Sequence, residues 1–424
     1  MTKLTKTRFA GMALVCLGAT LPSSASATEG YFAMAYGTAQ RGVAGAGIAY
    51  SQDAMSSAIN PASVATVGRE LTLGVEIFSP RREFTVSGGN PGLLPDGTTQ
   101  SGRDWFVVPN VAFNMPLANG AVVNFSAYGN GGMNTAYRDV PNANCGPFSG
   151  VFCGGTAGVD LTQLFLSVGY AKKTGNFSWG VAPTVAVQRF SAKGLAPFGA
   201  LSVDPANLSN RGHDMSYGIG LRAGFQYEIN PQLTIGVTGQ TKFKMSKFKK
   251  YAGLFENGGE FDIPATLGVG LAFKPRSDIT LMLDYQRIFY SNVPAVANST
   301  TATALFGSKG GSGFGWDDVD VIRIGAEWQQ SPDMTWRAGY AHATNPVGPE
   351  DVTFNVLAPG IVKHHLSFGG TKRLNDRDKL DFSLAYVVPQ TVSGPEMTPG
   401  GPSGNTVKLR MEQFSVSVGW TRTF

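Results

Sequence analysis

Reactive side chains are sparse in this chain of 424 residues. It has four histidines, and it has no G-x-S-x-G, P-loop or H-E-x-x-H motif. His364 and His365 are adjacent, so in a strand they point to opposite faces and do not share a metal ion. Gly218-Ile219-Gly220 is similar to part of a nucleotide-binding fingerprint, but no helix pattern follows it. The sequence therefore predicts neither an enzyme nor a metal or cofactor site.

The cysteines and the N-terminus indicate export. Residues 1–27 have a basic start, an apolar stretch and the small-residue site Ala25-Ser26-Ala27, which is typical of a cleaved secretory signal. Two cysteines remain after cleavage, and in an oxidising compartment we expect Cys145 and Cys153 to form a disulfide. A metal or redox pair is the alternative, but the spacing is not C-x-x-C and no histidine lies nearby.

The composition excludes several classes of protein. Charged residues are 15% of the chain, against roughly 25% in a typical soluble protein. Without Lys3, Lys6 and Arg8 of the signal, the net charge falls from +5 to +2, because 31 Lys and Arg then face 29 Asp and Glu. An aromatic content of 11% excludes disorder. We expect no nucleic-acid partner, and a surface of which much does not face water.

The elements that position these side chains are strands. From Met215 to Tyr227, for example, large apolar residues alternate with glycine and polar residues, and the same period recurs along the chain. Most such segments have 9 to 13 residues, close to the roughly 9–11 that cross a bilayer as a tilted strand. Fourteen segments begin near Leu71, Trp105, Ala121, Thr162, Phe177, Met215, Leu233, Ile263, Ile279, Val321, Met334, His364, Leu380 and Lys408.

The connections between these segments alternate between short and long. Short ones such as Lys274–Asp278 are rich in turn-forming residues, whereas Gly129–Leu161, Ser191–Asp214 and Tyr290–Asp318 are long. This asymmetry is typical of outer-membrane barrels, with short periplasmic turns and long external loops. The pattern of residues 70–424 therefore predicts an all-β, antiparallel transmembrane barrel of about 14 strands in a Gram-negative outer membrane. A large soluble β-protein or propeller is the alternative.

The segment 28–69 differs from the rest of the chain. Alanine, glycine and serine dominate it, and it lacks the period of two. Such a segment forms either a periplasmic domain or a plug inside the barrel. Its small side chains suit a confined interior and favour the plug.

Four short motifs in this segment carry a family resemblance. Gly30-Tyr31-Phe32, Gln40–Gly47, Asp53-Ala54 and Asn60-Pro61-Ala62 occur in an order that resembles the N-terminal hatch of FadL-type outer-membrane transporters of hydrophobic compounds. That family includes importers of long-chain fatty acids and of aromatic hydrocarbons. The looser similarity extends over essentially the whole mature chain.

The resemblance implies a gate and a lateral exit. Gly30, Tyr31, Phe32 and the turn Asn60-Pro61-Ala62 are the expected gate, with Phe32 filling the apolar pocket until ligand displaces it. A break in the third strand is expected at Gly129-Asn130-Gly131-Gly132, where glycine permits a bend. A loop that simply begins there is the alternative.

Ligand contacts are expected in the long loops. The long loops carry apolar side chains in positions expected to face water: Phe198 and Leu201 in one loop, Leu254 and Phe255 in another. Exposed apolar clusters of this kind either bind ligands or pack on each other. By resemblance, Arg189 and Lys309 are the cations for a fatty-acid carboxylate. However, strict alternation puts Arg189 on the outward face, and solvated rim charges are the alternative for both. If neither faces the pocket, a neutral hydrocarbon is the better substrate.

These features favour passive uptake of hydrophobic small molecules, first long-chain fatty acids and second aromatic or alkane hydrocarbons. The expected partners are that ligand and the outer-membrane lipid and lipopolysaccharide around a monomer. A general diffusion porin is a different class, disfavoured because the inward faces are mostly small and uncharged and a plug segment is present. An adhesin or phage receptor acting through the loops remains open.

Overall fold

The computed structural model describes residues 29–424, so the predicted signal, residues 1–27, lies outside the described residues. Fourteen long strands dominate them. Their bounds are β1 Glu70–Ser87, β2 Phe106–Pro116, β3 Ala121–Asn134, β4 Gly158–Thr174, β5 Phe177–Lys193, β6 Asp214–Asn230, β7 Leu233–Gln240, β8 Thr266–Arg276, β9 Ile279–Ile288, β10 Val319–Ser331, β11 Met334–Ala343, β12 His364–Arg373, β13 Asp378–Thr398 and β14 Gly401–Thr423.

These strands form a closed barrel. Each strand pairs with its neighbour in an antiparallel ladder, and β14 pairs with β1 from Glu70 opposite Thr423 to Ser87 opposite Thr406. Closure pairs every edge strand, which a bilayer requires because it contains no water to bond a free edge. Two further short strands, Gly97–Gln100 and Lys244–Met245, pair with β1 and β6 outside the barrel path. The predicted barrel of fourteen strands is confirmed.

Helices are short and lie in the N-terminal segment and the loops. No helix in the part of the chain from residue 29 onward has the length and apolar character to cross a membrane. The α-helices are α1 Thr38–Arg41, α2 Glu256–Gly259, α3 Pro294–Ala297 and α4 Val352–Asn355. The 3-10 helices are Ala54–Ala58, Pro61–Thr66, Ala143–Cys145, Ala196–Leu201, Pro205–Asn207, Lys249–Tyr251, Tyr290–Asn292 and Pro349–Asp351.

The period of two sorts the side chains of each strand. On β6, Tyr217 and Ile219 are outward and exposed, whereas Ser216 and Arg222 point inward and are buried. The outer face is therefore an apolar belt that suits lipid, and the inner face is polar or small. This arrangement follows directly from the alternation in the sequence.

The observed strands extend further than expected at the external end. Predicted starts lie within four residues of the observed starts except for the last strand, which begins at Gly401 rather than Lys408. The expectation of a long loop before it was wrong, because β13 and β14 continue for 21 and 23 residues to a tight turn. Residues that project beyond the lipid do not need an apolar face, so their sequence lacks the transmembrane pattern.

Residues 29–69, here called the hatch, lie inside the barrel. Arg41 pairs with Glu76 of β1 at 2.7 Å, the Asp284 carboxylate of β9 accepts from Gly47 N at 2.7 Å, and Gln226 of β6 donates to Ile48 O at 3.0 Å. Contacts to strands on all sides of a closed wall place the hatch in the lumen. Small residues of the hatch and glycines of the wall allow this close approach. A Cβ on Gly180 or Gly236 of the wall would collide with the hatch backbone.

Candidate functional site

An apolar cavity of about 510 Å³ lies among the external loops. Phe198, Leu254 and Phe255, three of the predicted ligand contacts, line it together with Phe190 of β5. Among the described residues that line it, none is charged, and Ser312 supplies the polar side chain.

A more open groove adjoins this cavity on the outer side. The groove encloses about 1,010 Å³ and shares Phe306 and Phe354 with the inner cavity. Leu201, the fourth predicted loop contact, lines the groove, as do Met397 and Pro399 at the end of the β13–β14 hairpin. The two spaces adjoin through these rings, and threonines such as Thr300 and Thr301 make the groove more polar than the inner cavity.

Aromatic rings close the inner cavity from below. The Phe261 ring lies 6.5 Å from that of Phe190, which lines the cavity, and 6.1 Å from that of Tyr31 in the hatch. Tyr31 also packs on Tyr290 at 5.0 Å and on Trp316 at 5.9 Å. These rings are buried and separate the loop cavity from the lumen.

Phe32 lies on the other side of these rings. It lines a second cavity of about 460 Å³, together with Tyr36, Ile48, Arg222 and Arg323. Phe32 does not line the loop cavity, and its role as a side chain that ligand displaces from an apolar pocket stays a prediction. The Tyr31 and Phe32 rings lie 5.4 Å apart and both pack on Tyr290, while Tyr31 also contacts Phe261 and Trp316.

The hatch continues as a short strand against β3. Ala33 N donates to Asn130 O at 2.9 Å, and Gly132 N donates to Tyr31 O at 2.9 Å. The ladder between β2 and β3 ends at Asn110 and Tyr128, and the ladder to β4 shifts register between Gly129 and Gly131. Above this bend β3 therefore pairs with the hatch instead of β2. A Cβ on Gly131 would collide with the Tyr31 carbonyl.

The Asn60-Pro61-Ala62 turn fixes the other end of the hatch. Asn60 Nδ2 donates to Ile48 O at 2.8 Å and to Phe225 O of β6 at 3.2 Å, while Oδ1 accepts from Ala62 N at 3.0 Å. Asn60 is the N-cap of the 3-10 helix that begins at Pro61. The turn anchors the hatch to the wall, and the gating role predicted for it stays a prediction.

The two predicted cations lie outside the cavities. No bulge interrupts β5 at Arg189, so its side chain shares the outward face with Val185 and Val187, while Gln188 points inward and is buried. Lys309 is exposed in the loop between β9 and β10. Their expected role in binding a carboxylate therefore has no support from the geometry. For Arg189 the physical reason is the strict alternation of β5, which turns its side chain to the outward face.

The periplasmic end of the barrel is polar. A cavity of about 870 Å³ there is lined by Asp53 of the hatch and by Glu327, Arg337 and Asp381 of the wall. Arg337 lies 2.6 Å from Glu327 and 3.6 Å from Asp381. An apolar molecule that took this route would have to displace water from charged groups, which is costly.

Cys145 and Cys153 are joined in the loop between β3 and β4. The two cysteines are eight positions apart in sequence. Nearby, Asn142 Nδ2 donates to Leu93 O at 3.0 Å. The bridge thus fastens a loop that covers the external end. Among residues 29–424 no cluster of histidine, cysteine and carboxylate residues has the arrangement of a metal site.

Sequence reasoning missed three residues that hold the start of the hatch. The Tyr290 hydroxyl donates to Glu29 O at 2.7 Å and accepts from Tyr31 N at 3.0 Å. The Glu29 carboxylate pairs with Arg323 of β10 at 2.6 Å, and Trp316 packs on Tyr31. These partners are more than 250 residues in sequence from the hatch residues that they contact, so no local pattern connects them.

Comparison with known proteins identifies the architecture. The model of the family described as outer membrane protein transport protein (OMPP1/FadL/TodX) matches residues 19–423. The chain belongs to this family. Members of the FadL/TodX family transport hydrophobic compounds across the outer membrane, so the chain is an outer-membrane transport protein. No curated protein matches it.

Solved structures of the FadL/TodX family share the fold at low identity. The toluene transporter TodX of Pseudomonas putida has a TM-score of 0.68 and 17% identity, over 92% of this chain and 99% of that one. A FadL homologue from Pseudomonas aeruginosa has a TM-score of 0.69 and 16% identity, over 93% and 100%. The toluene transporter TbuX of Ralstonia pickettii has a TM-score of 0.62 and 17% identity, over 92% and 99%.

Proposed function

We propose that this FadL/TodX family member takes up neutral hydrophobic molecules, aromatic hydrocarbons foremost, through the cavity of its external loops. The observation that carries the proposal is the lining of that cavity. Thirteen of its fourteen residues are apolar side chains or glycine, and none is charged. Burying an apolar ligand there gains about 25 cal/mol for each Å² removed from water.

The absence of a cation from the cavity lining supports a neutral hydrocarbon over a fatty acid as the substrate. A fatty-acid carboxylate in this space would lose its hydration without gaining an opposite charge, and that loss is costly. Arg189 and Lys309, the cations expected for this role, lie outside the cavity. A neutral ring meets no such penalty, and aromatic side chains such as Phe190 and Phe255 are suitable partners for it.

The exit proposed here is sideways through the wall at the β3 bend. The polar periplasmic cavity opposes the passage of an apolar molecule, whereas at the bend the ladder between β2 and β3 has ended. Displacing Tyr31 and Phe32 would break the backbone hydrogen bonds that bind the hatch to Asn130 and Gly132. Ligand binding above and wall opening at the side are coupled in this way by one short segment.

Long-chain fatty acids are a second candidate because of Arg222. Its guanidinium lines the cavity below the rings, donates to Gln240 Oε1 at 2.6 Å and lies 3.0 Å from the Tyr128 hydroxyl. A carboxylate that passed the rings would meet this cation. If fatty acids are transported, Arg222→Met should reduce oleate uptake about tenfold, as expected for loss of a charge-assisted bond, with little effect on toluene.

The test uses cells that lack other transporters of this family and produce this protein. Uptake of labelled toluene and labelled oleate is measured for the wild-type protein and for Leu254→Asp, which places a carboxylate in the loop cavity. We expect toluene uptake to fall at least about tenfold, because the new charge is desolvated whenever ligand binds. Leu374→Asp is the matched control, since Leu374 is exposed in the short turn after β12.

Equal uptake by Leu254→Asp and the control, at equal amounts in the membrane, would exclude the loop cavity as the entry site. Oleate uptake without toluene uptake would overturn the neutral-ligand proposal and favour the Arg222 alternative. The electrophoretic shift of the folded barrel on heating verifies folding of each variant.

A further inference from the structure

The outward position of Arg189 places it in a cluster of charges at the external end of β4 to β6. Oδ2 of Asp160 lies 2.8 Å from Arg103 Nη1, 3.0 Å from His213 Nε2 and 3.9 Å from Arg189 Nη1. Arg189 Nη2 lies 3.0 Å from His213 Nδ1. One carboxylate thus faces two guanidinium groups and an imidazole, so positive charge is in excess.

A cavity adds further cations beside this cluster. It encloses about 650 Å³, and its lining includes Arg103, Lys193, His213 and Arg138, with Asp160 as the carboxylate. Arg138 and Lys193 are exposed at its edge. The space is concave, basic and open to the surface.

A lysine-rich segment continues the positive surface from this cavity. Residues 242–250 contain five lysines. Phe243, Met245 and Phe248 are buried, which turns the lysines between them outward. Lys244 pairs with Ile219 on the edge of β6, and Lys250 Nζ donates to His213 O at 2.8 Å. The segment therefore connects directly to the Asp160 cluster.

The cations lie just above the lipid-facing belt. On β6, Met215 and Ile219 lie opposite Arg189 and Lys244, and the outward side chains below them, Leu221, Phe225 and Tyr227, are 41%, 36% and 44% exposed. Lys242 is already paired with Asp262 at 2.9 Å. The half-buried Arg189 and the exposed cations around it form one surface, here called the basic rim: Arg138, Arg189, Lys193, Lys244, Lys247, Lys249 and Lys250.

We propose that the basic rim binds the phosphate groups of lipopolysaccharide in the outer leaflet, with its acyl chains against the apolar belt below. Arginine and lysine form strong charge-assisted hydrogen bonds to phosphate. Cations just above an apolar belt attract the anionic headgroups of lipids, by about 1 kcal/mol for each charge near the surface. The lipid fits both halves of this surface, whereas free phosphate fits only the upper half.

The test is native mass spectrometry of the purified full-length protein titrated with lipid A that carries both phosphates. The same lipid A with both phosphates removed keeps the acyl chains and isolates phosphate recognition. The test variant is Arg189→Gln/Lys193→Gln/Lys250→Gln. Its matched control, Arg81→Gln/Lys309→Gln/Lys408→Gln, removes one arginine and two lysines that are exposed elsewhere.

We expect the wild-type protein and the control to bind phosphorylated lipid A equally, and the test variant to bind at least about tenfold more weakly. If the test variant fails to fold, Lys244→Gln/Lys247→Gln gives the same reading, because both side chains are exposed. Three results would overturn the proposal. They are binding of dephosphorylated lipid A as tight as that of the phosphorylated form, an unchanged affinity of the test variant for phosphorylated lipid A, and an affinity for inorganic phosphate equal to that for phosphorylated lipid A. Loss of oleate capture with lipid A binding unchanged would instead assign the rim to anionic substrates.

Discussion

Tyr290 controls the start of the hatch through a single oxygen atom. Its hydroxyl bonds to Glu29 O, Tyr31 N and Phe32 N, at 2.7, 3.0 and 3.3 Å. Tyr290→Phe removes these bonds and leaves a similar ring. Because a buried hydrogen bond contributes about 0.5–1.5 kcal/mol, we expect amide exchange of Tyr31 and Phe32 to accelerate about tenfold. Hydrogen exchange with mass spectrometry measures it.

Tyr285→Phe is the control for that change. Its hydroxyl donates to Asp320 Oδ1 at 2.6 Å on the outer side of the wall, so exchange in the hatch should not change. Unchanged exchange of Tyr31 and Phe32 in Tyr290→Phe would show that the ring contacts alone hold this segment.

At the residue scale, period-two alternation predicted orientation but not long-range pairing. The alternation correctly places Arg189 with Val185 and Val187, and the carboxylate role that resemblance implied for it needed a bulge that β5 lacks. The tyrosine that holds the hatch, Tyr290, follows a strand and begins a loop helix, and no pattern marks it. Contacts between positions far apart in sequence depend on tertiary packing, which a single sequence does not encode locally.

The bend in β3 determines whether the wall can open. Gly131→Val places a Cβ where the Tyr31 carbonyl lies, so β3 cannot keep this bend beside the gap where its ladder to β2 has ended. Combined with Gly132→Val, it should seal that gap, and uptake of hydrophobic substrate should be lost while binding in the loop cavity persists. Growth on the substrate and a ligand-binding assay measure the two effects.

Gly239→Ala is the control for the bend, since a Cβ there meets no atom closer than 3.7 Å. Undiminished uptake by the double valine variant, at wild-type membrane levels, would exclude the lateral route.

The Cys145–Cys153 loop allows a second test at this scale. Because the sulfur atoms are bonded, both cysteines should resist alkylation of the native protein and react only after reduction. Transport should change little, since the bridge closes only a short loop. Mass spectrometry counts the alkylated thiols, and labelling of both without reductant would contradict the expected oxidation state.

At the scale of elements, the sequence predicted the transmembrane parts better than the projecting parts. Turns such as Lys274–Asp278 and strand starts such as Phe177 were located well, because lipid on one side and the lumen on the other impose strict alternation. Residues 389–407 were interpreted as a loop and are a hairpin. Outside the bilayer this constraint disappears, and backbone pairing continues through residues such as threonine, serine and proline without an apolar face.

The depth of the whole barrel in the bilayer follows from its exposed apolar belt. Leu283 lies in the middle of β9, faces outward and is 49% exposed. Leu283→Arg should lower the free energy of unfolding in lipid vesicles by about 2–4 kcal/mol, because an arginine near the bilayer midplane is poorly solvated. Denaturant titration measures the change.

Val203→Arg is the comparison, because Val203 is 52% exposed in an external loop. It should change stability little. A similar loss for both variants would mean that the belt does not lie in lipid at this height.

The β13–β14 hairpin determines where this molecule meets its cargo. About ten residues of each strand are needed to cross the bilayer, so roughly half of these 21- and 23-residue strands stand above it. Met397 and Pro399 near the tip line the outer groove. The mouth therefore samples compounds dissolved in water above the lipid, before the leaflet can absorb them. Capture should follow the aqueous concentration of a compound, and a solvent already stored in the membrane should be a poor source for the transporter.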